Sequence, residues 1–190
     1  MTETIKIILF ILAIAVSLYG YVYYGRQIPT RKLKPRTFTW LIWGILSTCA
    51  AIVQLHHGAG LGAVGAILGA GSGYVLAAMA WRYGNRRIHE ADIISLSLAI
   101  AALVAWVLLG DVVAIIAAAF VYLVGFIPTV VRAIKAPYNE RMLPFAASVF
   151  KYGVSLAILG SFSVETVTYP AALMVANILF ILLLFVKRRK

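Results

Sequence analysis

A lysine in the middle of an apolar segment is the side chain of this protein best suited to chemistry. Lys151 lies nine residues after Met142, where the apolar stretch begins, about 13 Å along a helix axis. A charge near mid-bilayer raises the insertion free energy by at least about 2.5–3.5 kcal/mol, so by default it marks a functional site. Lys151, Tyr152 and Ser155 follow Ser148 by three, four and seven residues and therefore share one helical face. Because lipid would reject this polar stripe, we predict that it faces the bundle interior or a water-filled cavity, with Lys151 donating to hydroxyl groups, to carbonyl groups or to an anionic ligand.

Several roles are open for Lys151. No carboxylate is expected at the same depth, because Asp92, Asp111 and Glu165 all fall near the ends of apolar segments. The ammonium group could bind an anionic solute, form a Schiff base with a chromophore, or hold helices together through hydroxyl and carbonyl groups. It could also extend its stem toward an interface, with only structural partners. The missing counter-ion argues against the chromophore.

Asn177 and two prolines are the other candidate functional residues within the membrane, for solute binding and for bending of helices. Asn177 lies near the middle of the last apolar segment, seven residues after Pro170. Its amide could bind a solute, or it could join helices with a hydrogen bond worth about 0.6 kcal/mol. Pro128 and Pro144 each free a backbone carbonyl one turn earlier, which predicts either hinges or static bends in the fifth and sixth segments.

The sequence offers little for a metal, a cofactor or an enzyme. His56 and His57 are adjacent, but we expect no third ligand or carboxylate near them, so they are weak evidence for a metal site. Cys49 is the one cysteine and falls in an apolar segment, as a small core residue would. No paired carboxylates, hydrolase motif or nucleotide-binding motif occurs. We therefore predict no catalytic residues, no metal and no cofactor.

The composition predicts an integral membrane protein. Of the 190 residues, 63% are hydrophobic and 12% are charged, and the mean hydropathy is +0.97, a balance that leaves too little polar surface for a soluble domain. Apolar runs of about twenty residues are typical of membrane-spanning helices. Seven such spans are predicted, at about 5–24, 38–55, 59–81, 92–109, 112–131, 142–160 and 164–186.

The distribution of charge predicts the orientation of these spans. The net charge is +11, and all Lys and Arg residues except Lys6 and Lys151 follow spans one, three, five and seven. The positive-inside rule then places the N-terminus outside and the C-terminus in the cytoplasm. Because the membrane topology accounts for the net positive charge, we do not interpret that charge as a surface for binding nucleic acid. Trp40, Trp43 and the tyrosines of residues 19–24 predict an aromatic belt at the cytoplasmic boundary.

The short loops predict one compact membrane domain, residues 1–190. Span three is rich in Gly and Ala at intervals of four, which favours a closely packed central helix, with a solute path as the alternative. A weak internal repeat appears at an offset of 102 residues, which pairs span one with five, two with six and three with seven. The domain would thus comprise a three-helix bundle (1–81), a linker helix (82–111) and a second three-helix bundle (112–190).

Two stretches resemble the SWEET and PQ-loop transporter superfamily. Residues 125–140 are similar to a PQ-loop segment, with Thr129 in place of the glutamine, and residues 34–43 are similar to the loop and helix entry after the first PQ site. The first half lacks the proline expected in span one. The resemblance implies a 3+1+3 parallel repeat that binds a solute between its bundles, with Asn177 at the position of an asparagine on the last helix.

The chain is also similar, over nearly its full length, to small prokaryotic membrane proteins with a KPxxxTWLxW stretch, which implies a prokaryotic cytoplasmic membrane. Our leading hypothesis is a transporter or facilitator of a small anionic or polar metabolite that works by alternating access. In it Lys151 binds the solute with Asn177, Tyr152, Ser148 and Ser155, and Pro128 and Pro144 act as hinges. The alternative is a non-transporting receptor-like or scaffold protein. The expected partners are the lipid bilayer and the solute, with no nucleic acid and a possible homo-oligomer.

Overall fold

The computed structural model describes residues 1–30, 33, 35–84 and 90–189, and every long element in them is a helix. Lys34, several other basic loop residues and Lys190 lie outside the described residues. Two short 3-10 helices, Gly60–Ala63 and Pro137–Asn139, occur in the connections. The seven α-helices are α1 (Glu3–Gly25), α2 (Thr37–His56), α3 (Val64–Tyr83), α4 (Glu90–Leu109), α5 (Asp111–Lys135), α6 (Leu143–Ala157) and α7 (Val164–Arg188).

In the described residues, six of the helices are long and apolar enough to cross a membrane, which makes the chain an integral multi-pass membrane protein. The exception is α6, for which the sequence predicted a span over residues 142–160. Its 15 residues rise about 22 Å, whereas a typical hydrocarbon core is about 30 Å thick. The helix ends early because the chain turns at Ile158, and the Gly160 N–H donates to the Ala59 carbonyl instead of continuing α6.

Each of the described helices packs on at least two others. Helix α3 contacts both α1 and α2, and α7 contacts both α5 and α6. In addition, α1 packs on α6 and α2 packs on α5. Helix α4 lies against α5 and α2. The polar residues Ser47, Lys151, Ser155 and Asn177 are buried inside the bundle.

Small residues of α3 allow its close approach to α2 and α6, as predicted, although α3 is not buried on all sides, since Ile67 and Val75 are 48% and 61% exposed. A Cβ atom added at Gly73 would lie 2.5 Å from the Cα of Gly44 on α2. A Cβ atom added at Gly65 would lie 2.5 Å from the hydroxyl of Ser155 on α6, to which the Gly65 N–H donates a 2.9 Å hydrogen bond. Such contacts are where membrane helices gain packing energy.

The basic loops are joined to the bundle by arginine side chains. Arg36, which precedes α2, donates to Asp92 of α4 at 2.9 Å, and the Asp92 side chain is only 4% exposed. Arg188, in the last turn of α7, donates to the carbonyl oxygens of Pro137 and Glu140. This end of the molecule, where residues 26–30, Arg36 and residues 136–142 lie, is called the basic end below, and the end that carries His57 and Glu165 is called the opposite end.

Candidate solute-binding cavity

One cavity of about 430 Å³ runs from the basic end to the middle of the bundle. Its volume falls within the range of about 300–1,000 Å³ that is usual for small-molecule sites. Side chains of α1, α2, α3, α5, α6 and α7 line it, with loop residues at the mouth. The lining includes Tyr21, Leu33, Arg36, Trp43, Ser47, Gly69, Ser72, Tyr122, Pro128, Arg132, Glu140, Arg141, Pro144, Ser148, Lys151, Tyr152 and Asn177.

Lys151 lies at the inner part of this cavity and is 2% exposed. Its Nζ donates a 2.7 Å hydrogen bond to the hydroxyl of Tyr21 on α1. The same Nζ lies 4.3 Å from the ring centroid of Tyr152, close enough for a cation–π interaction. No carboxylate among the described residues forms an ion pair with Lys151. Its charge is thus met by a hydroxyl group and aromatic rings, and an ammonium group has three protons to donate.

Aromatic side chains form much of the cavity wall. Trp43 of α2 stacks on Tyr122 of α5, with ring centroids 4.8 Å apart and an interplanar angle of 17°. Gly125 makes room for the indole, since a Cβ atom there would lie 2.9 Å from Trp43 Nε1. Trp40 packs edge-on against Trp43 at 5.3 Å. These rings give the cavity flat apolar surfaces at the junction of α2 and α5.

Most of the predicted site residues line this one cavity. Ser148, Lys151, Tyr152 and Asn177 all do so, from α6 and α7. The Asn177 amide donates a 2.7 Å hydrogen bond to the Leu173 carbonyl of its own helix, and its side-chain oxygen remains an acceptor. The Ser148 hydroxyl donates to the Pro144 carbonyl at 3.0 Å. The structure therefore brings together, in one place, the lysine and the asparagine that the sequence singled out separately.

Ser155 does not line the cavity, although it shares the face of Lys151. It is fully buried against α3, where its hydroxyl accepts the hydrogen bond from the Gly65 N–H. The polar stripe thus divides along its length, because α3 crosses close to α6 at this level. Ser155 joins two helices and is not placed to touch a solute in the cavity.

The predicted bend at Pro144 is wrong, because this proline lies in the first turn of α6. A residue there has no earlier helical carbonyl to pair with, so a missing N–H breaks no hydrogen bond. Pro128 lies inside α5, where proline does remove a helical hydrogen bond. Both prolines line the cavity, but only Pro128 can weaken its helix.

The predicted aromatic belt is also partly wrong, because four of its members line the cavity. Tyr21 and Tyr24 of α1 and Trp40 and Trp43 of α2 do so, whereas Tyr19 is 64% exposed. One feature of the sequence indicated that these tyrosines face the interior: Tyr21 and Tyr24 lie four and seven residues after Ser17 and share its helical face. Nothing comparable indicated Tyr122.

Basic side chains dominate the mouth of the cavity. Arg36, Arg132 and Arg141 line it together with a single acid, Glu140. Arg132 Nε lies 3.5 Å from a carboxylate oxygen of Glu140, and Arg36 is paired with Asp92. Because a cleft with low-dielectric walls focuses the field of its charges, this lining favours the entry of anions.

The cavity stops at the middle of the bundle. The Ser47 and Tyr169 hydroxyls are 2.9 Å apart there, and Tyr152 packs edge-on against Tyr169. Beyond them lies a core of small and aliphatic side chains from α2 and α5. Neither His57 nor Glu165, at the opposite end, lines the cavity. The described part of the site is thus reached from the basic end.

No family model, no curated protein and no solved structure matches this chain. The resemblance to the SWEET and PQ-loop superfamily stays a prediction from its motifs.

Proposed function

We propose that the protein transports a small organic anion by alternating access, and that the structure corresponds to a state open at the basic end. The observation that carries this proposal is a buried lysine that has no carboxylate partner among the described residues and lies at the inner part of a cavity that begins among arginines. A buried ammonium group of this kind is stabilised when an anion binds to it. A hydrogen bond to a charged group contributes about 1.5–3 kcal/mol.

The residues that line the cavity favour the binding of an anion that also has a flat apolar part. The anionic group would accept hydrogen bonds from Lys151 Nζ, while the body of the solute would pack between Trp43 and Tyr152. The Asn177 side-chain oxygen and the Ser72 hydroxyl supply polar contacts on the far wall. Simple inorganic anions would leave these aromatic surfaces exposed, so we expect them to bind more weakly than an aromatic or branched carboxylate.

The packing of the helices supports a 3+1+3 parallel repeat. If α1, α2 and α3 correspond to α5, α6 and α7, the contact of α1 with α6 corresponds to that of α5 with α2. Both contacts occur, as do the matching pairs α1–α3 with α5–α7 and α2–α3 with α6–α7. We propose that residues 1–81 and 112–190 move against each other, with residues 82–111 as the linker and Pro128 as the hinge.

The proposed membrane topology has seven spans, with α6 and the turn at residues 158–160 as the short sixth crossing. The basic end would face the cytoplasm, since it carries the arginines that precede α2 and follow α5. The N-terminus would lie outside, in a prokaryotic cytoplasmic membrane.

A non-transporting solute receptor is the alternative, and the closed inner end of the cavity favours it. The Ser47–Tyr169 hydrogen bond and the close α2–α3 packing would then be permanent. Both functions use the same site, so binding alone does not separate them.

Transport in proteoliposomes separates the two functions. Thermal-shift screening of purified protein against a panel of organic acids would first identify a ligand, whose labelled form is then used for uptake. Transport predicts saturable uptake that Lys151→Met abolishes. The same uptake should stay intact in Lys6→Met, which changes a partly buried lysine that pairs with Glu3 near the N-terminus. Binding without uptake in either direction of insertion would refute transport and support the receptor.

A further inference from the structure

Four polar side chains from three helices converge at the opposite end of the bundle, far from the cavity. His56 Nδ1 and His57 Nε2, at the end of α2, lie 3.0 Å and 2.9 Å from the same carboxylate oxygen of Asp111 at the start of α5. These three ligand atoms all lie within 4.8 Å of one another. The sequence expectation of no carboxylate near the histidines is therefore wrong. The sequence did not indicate this contact because 54 residues separate His57 from Asp111.

The local backbone turns both imidazoles to one side, although adjacent residues on a helix point about 100° apart. Helix α2 ends at His56, and His57 has left the helical conformation with φ −93° and ψ 20°. Gly58 follows at φ 77°, in the left-handed region that favours glycine. The two rings lie 5.2 Å apart at 70° to each other, so they approach Asp111 from different directions.

We propose that His56, His57 and Asp111 bind a divalent transition-metal ion of the Zn²⁺ class. Two imidazole nitrogens and one carboxylate oxygen are the ligands of many zinc sites that keep a fourth position open. Tetrahedral bonds of about 2.0–2.1 Å place ligand atoms about 3.4 Å apart. The observed separations of 2.9 Å to 4.8 Å bracket this value, so small side-chain rotations suffice.

The groups behind these ligands are those that orient metal ligands in proteins. The indole N–H of Trp106 donates to the other Asp111 oxygen at 2.6 Å, which leaves Oδ2 directed at the histidines. The Oε1 atom of Glu165 lies 3.8 Å from His57 Nδ1, the nitrogen that faces away from Asp111. This distance is too long for a hydrogen bond, so Glu165 would have to move closer when the metal binds to select the His57 tautomer whose lone pair faces the metal.

Exposure of the cluster leaves a path for an ion. The side chains of His56, His57 and Asp111 are 76%, 31% and 24% exposed. A hard cation such as Mg²⁺ prefers oxygen ligands, so a site with two imidazoles selects Zn²⁺, Co²⁺ or Ni²⁺. The ion would connect α2 to α5, and this proposal does not depend on transport.

The test is titration of the purified full-length protein, without a polyhistidine tag and after treatment with a chelator. Isothermal titration with Zn²⁺ should give one site per chain, and Co²⁺ should give the visible absorption of a tetrahedral complex. Loss of an outer-shell partner typically lowers metal affinity 10–100-fold. Asp111→Asn and His57→Gln should therefore lower the Zn²⁺ affinity at least that much, and Trp106→Phe within that range.

Glu3→Gln is the matched control, because it removes an exposed carboxylate outside the cluster. Its Zn²⁺ affinity should equal that of the wild type. Failure of the wild type to bind one equivalent of Zn²⁺, or equal affinities in Asp111→Asn and Glu3→Gln, would overturn the proposal. If Asp111→Asn does not fold, His56→Gln, at an exposed position, provides the test instead. An unchanged Zn²⁺ affinity in this variant would contradict the proposed site, and a loss of at least tenfold would support it.

Discussion

Lys151 is held by groups that neutralise none of its charge. The Tyr21 hydroxyl accepts one hydrogen bond, and the face of Tyr152 offers a cation–π interaction. A cation–π contact contributes about 2 kcal/mol or more when it is desolvated, less than a well-placed anion would contribute in the same surroundings. A bound carboxylate would therefore change the energy of this residue more than that of any neighbour in the cavity.

Replacement of Lys151 should separate binding from stability. Lys151→Met removes a buried charge and leaves the Tyr21 hydroxyl beside a cavity that admits water, so the melting temperature should match that of Lys6→Met or exceed it. Affinity for the organic anion found in the thermal-shift screen should fall by about 1.5–3 kcal/mol. The measurements are melting temperature and binding isotherm. Unchanged affinity with a lower melting temperature would show that Lys151 is structural.

Helix α3 shows how small residues determine the spacing of elements. Gly73 faces the backbone of α2, which cannot yield, whereas Gly71 on the same helix has no atom within 4 Å of an added Cβ. The two glycines have helical backbone and differ only in what they face. They therefore form a matched pair for the energetic importance of close packing.

Gly73→Ala should destabilise the protein by about 1–3 kcal/mol, because α2 and α3 must separate to admit the methyl group. Gly71→Ala should be neutral or stabilise by up to about 1 kcal/mol, since Ala favours a helix more than Gly does. Unfolding of both variants in the same detergent, compared with wild type, provides the test. Equal effects of the two substitutions would contradict the packing described for α2 and α3.

Features that depend on one helix were predictable from the sequence, and those that depend on several were not. Lys151, Ser148 and Tyr152 share a face by spacing alone, and all three line the cavity. Ser155 shares that face, but its surroundings are set by the crossing of α3. The approach of Asp111 to the histidines depends on where α5 begins relative to the end of α2, which no local pattern encodes.

At the scale of the whole molecule, the two ends of the bundle differ in chemistry. The basic end opens into the cavity through arginines, and the opposite end is closed by packed side chains and a histidine–aspartate cluster. A transporter that works by alternating access needs one open end and one closed end in each of its two main conformations. The same asymmetry makes the orientation in the membrane a test of the proposal.

Single cysteines in a Cys49→Ser background report this orientation. Arg189→Cys lies at the basic end, and Phe162→Cys, at a position that is 72% exposed, lies at the opposite end. A membrane-impermeant thiol reagent added to intact cells should label position 162 and spare position 189 until the membrane is opened. Labelling of position 189 from outside would overturn the proposed topology.

We propose that the cavity is reached from the basic end and that Lys151 gives it a preference for anions. Ser148→Cys, again with Cys49→Ser, places one thiol in the cavity and keeps the lysine. In inside-out vesicles, an anionic methanethiosulfonate reagent should modify this thiol faster than a cationic one, with both rates normalised to those for free mercaptoethanol. Addition of Lys151→Met should reduce the preference, and the arginines at the mouth should account for what remains. Equal rates for the two reagents with Lys151 present, or no reaction with either, would contradict the proposed anion site.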